Sequence, residues 1–534
     1  MALNLSRNTK VFVSSVNGVH ASGGSVVTLD NFTAGSGYAV GDILDMANGS
    51  GSGLQVIVAA ITGGGSTGPI SEVFIPNNYR GTGYATTDTG LAASAVTGSG
   101  TGFECDVLDV TATTADGTRT GTGLFKGNEK DANTFRIGVL DGYSFSQANE
   151  TTDVTISEAG SAPARGSKRF NDSLSPAEWS FQTYARPFEH GAASYRASGT
   201  HDFAENILWA ALSGQAIPTS GGPSDNSGDT TNSGINFNTN DVEVDFESSD
   251  SHELLKLNIF FALENTTYRL NECQVNQVEI DFAIDGIATL SWSGNATSID
   301  QVDSAIEDPS KALNNNTSGA NGSTSVSTYV EKYNYVDVTG SSDADYLRNK
   351  LSTLTLSNTV QGGGASAGGL DAVATYDIAI TGGNITIANN ITYLTPETLG
   401  IVDQPIGSFT GTRMVSGSLT CYLDNKTSPN PGSNSLLKAL QGATNLVTNS
   451  FDMSLFMGGD STSFASRTTP VIEFDIGAAH LSIPTIETAD IISTNIEFMA
   501  LGTSLTDQDE ILVKGHGVTV HSETGYDDTS SNAV

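Results

Sequence analysis

The chain has 534 residues, with 59 acidic against 23 basic side chains, a formal charge of −36 and 59 glycines. No stretch approaches the ~18 consecutive apolar residues of a membrane span, and the opening MALNLSRNTK lacks the apolar core of a secretory leader. The acid excess excludes a protein that grips nucleic acid by neutralising phosphates, and Cys105, Cys273 and Cys421 are too scattered for a disulfide framework or a zinc site.

Thr, Ser, Val, Ile, Asn and Gly dominate, which suits strands and turns better than long helices. In chain order, alternation predicts a strand at NTKVFVSS (8–15). A Gly-rich interval then shows its own period. FTAGSGYAVGD (32–42) resembles NYRGTGYATTD (78–88), and GSGSGLQVIV (49–58) resembles GSGTGFECDV (98–107). This reads as a two-repeat β-module over 21–125, with glycines supplying tight turns. Strands follow at 134–140, 153–157 and 179–184. DFAENILWAALSG (202–214) predicts a helix with Asp202 as its cap and Gly214 at its end. Residues 216–241 read as a polar loop, and VEIDFAI (278–284) as a strand. The Asn/Ser/Gly run in 308–344 is a flexible linker by composition. Beyond it come a strand at 375–381, a second short helix at 433–442, a strand at 472–476 and an acidic, frayed tail at 515–534. Each helix fits one opening of a barrel or one face of a sandwich; an ordinary amphipathic surface helix fits equally well.

Several of these segments recur in the same order. Arg7-Asn8 and a strand return at Arg348-Asn349, an offset of 341. Thr134-Phe135 returns at Thr375-Tyr376 (241), SFQTY (180–184) at SLTCY (418–422) (238), and VEIDF (278–282) at IEFDI (472–476) (194). The helical pattern N-x-L-x-x-A-L-x-G, starting at Asn206, returns at Asn434 (228). VEVDF (242–246) competes as partner for the VEIDF match. The expected fold is mainly β, one domain used twice. Copy one spans 1–20 and 126–307 around the inserted module, and copy two spans 345–514. The drop from 341 to 241 locates the insertion.

No catalytic constellation emerges. There is no H-E-x-x-H, no G-x-S-x-G and no Walker lysine. His201, His252 and His480 read as surface or capping residues. Gly-x-Gly-Tyr lacks the helix and basic residue of a phosphate loop. DNSGDTTNSG (225–234) misses EF-hand spacing and reads as solvated. Carboxylate pairs are too common for a glycosidase pair to stand out. The expectation is no enzyme, no metal and no cofactor. One pattern invites a functional reading. Val278, Ile280 and Phe282, and likewise Ile472, Phe474 and Ile476, share one strand face, leaving Glu279, Asp281, Glu473 and Asp475 on the other. The default is a half-buried strand with a wet face; the sharper reading is an acid-lined channel.

RNTKVFVS (7–14), TFRIGVLDGYSFSQANETTDVTISEAG (134–160) and RFNDSLSPAEWSFQTYARPF (169–188) resemble the tail tube (major tail) proteins of long-tailed bacteriophages. The resemblance is weaker over 345–505, where the repeat carries it. It implies two tandem tail-tube-like β-barrel or sandwich domains, each with one flanking short helix, plus the inserted β-module outside the tube. It implies a virion protein made in the host cytoplasm, without membrane contact. Its partners would be other tail proteins and its own copies, three chains making a pseudo-six-fold ring that stacks into a tube. Double-stranded DNA would pass through without specific binding, since a carboxylate-lined bore repels phosphate. A secreted S-layer or adhesin-like surface protein suits the composition too, although it would need a leader. A tail sheath or baseplate protein and a polysaccharide depolymerase are further alternatives.

Overall fold

The computed structural model describes residues 9–15, 26–63, 65–75, 80–110, 134–155, 167–191, 199–214, 234–246, 254–264, 266–302, 309–310, 313–315, 328–330, 334–335, 346–358, 375–394, 405, 407–426, 430–442, 451–482, 485–487, 492–502 and 508–521. The fold is mainly β, and twenty strands from both halves join one hydrogen-bonded network that nearly closes into a barrel. Among the described residues no helix is long and apolar enough to cross a membrane.

The first half supplies β1 (Thr9–Ser15), β2 (Thr134–Ile137), β3 (Ser144–Ser146), β4 (Asn149–Thr155), β5 (Ser167–Leu174), β6 (Ala177–Tyr184), α1 (Asn206–Ser213), β7 (Val242–Asp245), β8 (Leu257–Leu263), β9 (Thr266–Ala283), β10 (Thr289–Ala296) and β11 (Ser298–Val302). β1 pairs with β2 and β8, β8 with β9, and β9 with β10 and β11. β10 continues to β6 and β6 to β3, while β4 and β5 form a separate hairpin.

The second half supplies β12 (Thr353–Asn358), β13 (Thr375–Asp377), β14 (Ile380–Ala388), β15 (Thr392–Leu394), β16 (Gly407–Phe409), β17 (Met414–Tyr422), α2 (Ser433–Gly442), β18 (Phe451–Met457), α3 (Ser461–Ser466), β19 (Val471–Leu481), β20 (Thr485–Glu487), β21 (Ser493–Ala500) and β22 (Leu512–His516). β12 pairs with β13 and β18, β18 with β19, β19 with β22, and β19 and β20 with β21. β21 continues to β17 and β17 to β14, with β15 and β16 as a hairpin. Two seams join the halves: β9 to β14, and β7 to β22.

Alternation explains these strands. In AEWSFQTY, Ala177, Trp179, Phe181 and Thr183 are buried while their neighbours face outward. The core runs through both halves and encloses α1, all eight of whose residues are buried. That excludes the surface-helix alternative for α1, because its apolar run NILWAAL meets sheet on every side. Trp209 packs edge-on to Trp292 at 5.1 Å.

Two local expectations change. Asp202 is not the helix cap: Glu205 holds that position with no side-chain cap bond, and Asp202 lies in the short strand His201–Phe203. The expected tail also starts later. Gly515 and His516 lie in β22, and Val520–His521 pairs in parallel with Pro187–His190. Residues 522–534, His252, 225–233 and most of the 308–344 linker lie outside the described residues.

Residues 26–110 form their own seven-stranded sheet around a separate core. Its two Gly-Tyr motifs are built alike. Tyr38 and Tyr84 are buried, and Asp42 and Asp88 each accept the backbone N–H three residues back, from Ala39 and Ala85. Gly35 and Gly81 hold matching left-handed conformations, φ 60° and 64°, which only glycine adopts readily.

Candidate functional site

The most distinctive surface is the outward face of the antiparallel sheet β3–β6–β10–β9–β14–β17–β21. Val278, Ile280 and Phe282 point into the core, as expected, so Glu279 and Asp281 turn outward. The registers lay out cross-strand rows. One row runs Gln182, Ser291, Glu279, Thr386, Ser416 and Met499. The next runs Thr289, Asp281, Asn384, Ser418 and Glu497. Asn384 Nδ2 donates to Glu279 Oε1 at 3.1 Å, and Ser418 Oγ donates to Asn384 Oδ1 at 2.8 Å. Ser418 and Asn384 thus tie the Glu279 carboxylate into a cross-strand polar chain. The one basic residue of these seven strands is Arg269, on the stretch of β9 paired with β8 and β11, 3.5 Å from Asp300. The acid pattern identified Glu279 and Asp281; Asn384, Ser418 and Glu497 were missed, although the alternation in NITIA, SLTCY and NIEFMA carries the signal.

Glu473 and Asp475 also turn outward, opposite buried Ile472, Phe474 and Ile476, but on the stretch of β19 paired with β18 and β22, before its pairing with β21 at Ala479–Leu481. There Lys514 lies between Glu243 and Glu473 in register. Burial pushes the Glu473 carboxyl above its usual range, with Lys514 opposing. Ser454 Oγ donates to Asp475 Oδ1 at 3.4 Å. The four sequence-derived carboxylates are therefore not brought together.

With the two halves overlaid strand for strand, the registers give the reason. Glu279 and Asp281 face Ser291 and Thr289 across β9–β10. The matching places across β20–β21 belong to Thr485 and Glu487, opposite Asn495 and Ser493. Glu473 and Asp475 instead match Thr267 and Arg269. The hairpin between β18 and β19 spans 458–470 and contains α3, whereas β8 and β9 are joined by 264–265 alone. A longer turn shifts every later position.

A second cluster is buried. His190 Nε2 lies 3.0 Å from Asp202 Oδ2, which also accepts from Asn206 Nδ2 at 2.9 Å. Asp202 Oδ1 accepts the Phe203 N–H at 2.7 Å. Burial pushes the neighbouring Glu205 carboxyl up to about 8, with Arg186 opposing. His201, expected at the surface, is buried against His516, and burial pushes it down to about 4; His480 is exposed. The adjoining cavity, lined by Arg136, Arg186 and Glu205, measures about 30 Å³. That is room for one water and not for a substrate. The cluster ties the strand Pro187–His190 to α1.

No family model matches the chain. It is 36% identical over 394 residues to tail tube protein pb6 of Escherichia phage T5, covering 74% of this chain and 73% of that protein. By that likeness, carried over three quarters of its length, the chain belongs to the tail tube proteins of long-tailed bacteriophages and is a component of the virion.

Proposed function

We propose that this chain carries one tube fold twice, in 1–20 with 126–307 and in 345–514, and that three chains close a ring of six such units. Stacked rings then form the conduit for ejected DNA. The observation that carries the reading is the β9–β14 seam. Each half offers the same pairing sequence, so a seam inside the chain has a counterpart between chains. Within the chain, Glu279 faces Thr386, Ile280 faces Ile385 and Asp281 faces Asn384. The registers of β3 on β6 and β14 on β17 equate Ser144, Phe145 and Ser146 with Asn384, Ile385 and Thr386. The edge of β20 that has no strand partner among the described residues would therefore take up β3 of the next chain, with Thr485 opposite Ser146 and Glu487 opposite Ser144. Such pairing hides edges that would otherwise recruit wrong partners.

In this reading the outward face of the seven-strand sheet lines the bore. Glu279, Asp281 and Glu497 present charge to passing phosphate. Glu473 and Asp475, on the stretch of β19 paired with β18 and β22, lie away from the bore. Residues 308–344 link the halves, the 21–125 module decorates the outside, and other tail proteins cap the tube ends.

The test is a cysteine pair, S146C with T485C. Directly opposed positions place Cβ atoms about 4.5–5.5 Å apart, and the native Cys105, Cys273 and Cys421 are buried. Oxidised tubes should give chains linked in threes on a non-reducing gel, with each single variant silent. Six chains per ring in electron cryomicroscopy, or no cross-link in intact tubes, would refute the reading. Two-dimensional sheets that collapse on chelation would point to the surface-layer class instead.

A further inference from the structure

We infer that Asn149 of one chain caps the C-terminal end of α2 in the next. The inference rests on the ring reading above and supplies a side-chain contact which that reading leaves open.

The contact already exists once inside the chain. Each half carries a hairpin arm, β4 with β5 in the first and β15 with β16 in the second. The second arm is docked. Asn389, only 4% exposed, donates through Nδ2 to Leu212 O at 2.9 Å and to Val275 O at 3.4 Å. Its N–H donates to Asn276 O at 2.8 Å, and the Ile391 N–H donates to Asn276 Oδ1 at 2.8 Å. The last four carbonyls of a helix have no N–H partner inside it. Leu212 O is one of these in α1, so a side chain from the second half completes the helix of the first.

The first arm carries the same residues undocked. Ala148, Asn149, Thr152, Val154 and Thr155 return as Ala388, Asn389, Thr392, Leu394 and Thr395, an offset of 240. The strand registers give the same offset, since they equate Ser146 with Thr386. Asn149 is exposed, and its Nδ2 donates across its own arm to Asn171 Oδ1 at 3.0 Å.

The second half holds the matching acceptors. The helix repeat equates Leu212 with Leu440, which lies in the last turn of α2. Thr289 and Ser493, opposite Tyr184 and Tyr422, set an offset of 204 between β10 and β21. Val275 faces Gly294 and Leu481 faces Phe498, so these two are the same place. Gln274, bonded to Ser408 of the docked arm, is 5% exposed, whereas its counterpart His480 is exposed. With Thr485 opposite Ser146 at the junction between chains, antiparallel counting sets Asn149 opposite Ser482. The same count within the chain sets Asn389 opposite Asn276. The occupant of the α2 end is therefore the first arm of a second copy. One contact is not repeated. Tyr393 Oη donates to Asn295 O at 3.0 Å, but its counterpart Asp153 is held by Arg169 within the arm. The asparagine is the shared element, and α2 is completed only by a neighbouring chain.

Full-length chains carrying N149A, N149D and N389A test this. N389A should lower the urea midpoint of the unassembled chain, because its clamp is internal; an N389A chain that fails to fold meets the same expectation. N149A should keep the native midpoint and raise the concentration at which tubes form about ten-fold, as loss of two hydrogen bonds at each junction does. N149D should match N149A, since a carboxylate has the shape of the amide but no hydrogen to donate. In images of native tubes, Asn149 should lie at the end of α2 of the neighbouring chain. Assembly of N149A or N149D at the native concentration, or a midpoint lowered by N149A as far as by N389A, would overturn the inference. Cross-linking of S146C with T485C alongside normal assembly of N149A would leave the ring reading standing and sink the cap alone. Rings of six chains, or no cross-link, would remove the ring reading and the cap with it.

Discussion

Gly100 shows how narrow the tolerances of single positions are. A Cβ there would lie 2.2 Å from the Tyr38 ring, against which the turn is folded. Gly100→Ala should destabilise the inserted module by about 1–3 kcal/mol, as overpacking does. The module's unfolding transition in calorimetry is the measurement, and an unshifted midpoint would contradict this packing. His201 carries a pH signature. Folded, it stays neutral until about 4, held down first by burial, then by His516 and Arg467. Unfolded, it takes up a proton near ~6.5. The unfolded state thus gains protons as pH falls between these values, and stability is lost over that window. Glu205 acts with opposite sign. Its folded value of about 8 means that its contribution is full below the ordinary carboxylate range and is lost as pH rises through about 8. The comparison must therefore be differential. Urea midpoints at about pH 7.5 and about pH 5 should converge in His201→Asn relative to the native chain. An equal drop in both proteins would rule His201 out as the source.

At the scale of elements, α1 depends on packing rather than capping. Its first turn has no side-chain cap bond, and its stability comes from burial of Ile207, Leu208, Trp209 and Leu212. Trp209→Ala should cost about 3–5 kcal/mol, read from chemical unfolding; a loss below 1 kcal/mol (about the cost of losing a cap) would mean the helix is not the core element inferred. The position of α1 was legible from its apolar spacing and from Gly214, because those record burial. The role of Asp202 was not, since a residue before a helix looks the same whether it caps the backbone or reaches Asn206 and His190. Glu279 and Asp281 were legible because strict alternation records a half-buried strand. The partners of Glu473 and Asp475 were not. Two strands can share the pattern E-x-D while a longer turn, here the one holding α3, gives one of them different pairing partners. Tertiary hydrogen bonding set that difference, and local spacing holds no trace of it.

For the whole molecule, the distribution of charge matters more than its total. A face bearing Glu279, Asp281 and Glu497 repels phosphate along its length. Replacing Glu279 and Asp281 by Gln and Asn should slow DNA release from assembled particles, most strongly at low salt where screening is least. Dye-detected release kinetics provide the check, and an unchanged rate at low ionic strength would argue that this face does not meet DNA.

The seam between β9 and β14 has a kinetic consequence as well. Both strands belong to one polypeptide, so closing that seam is a unimolecular event whose completion does not depend on how dilute the protein is. In the proposed three-chain ring, only the seams between chains would remain to be formed by collision. A folded chain would then enter assembly with one junction already made, and the concentration at which rings first nucleate would depend on fewer encounters than six separate units require.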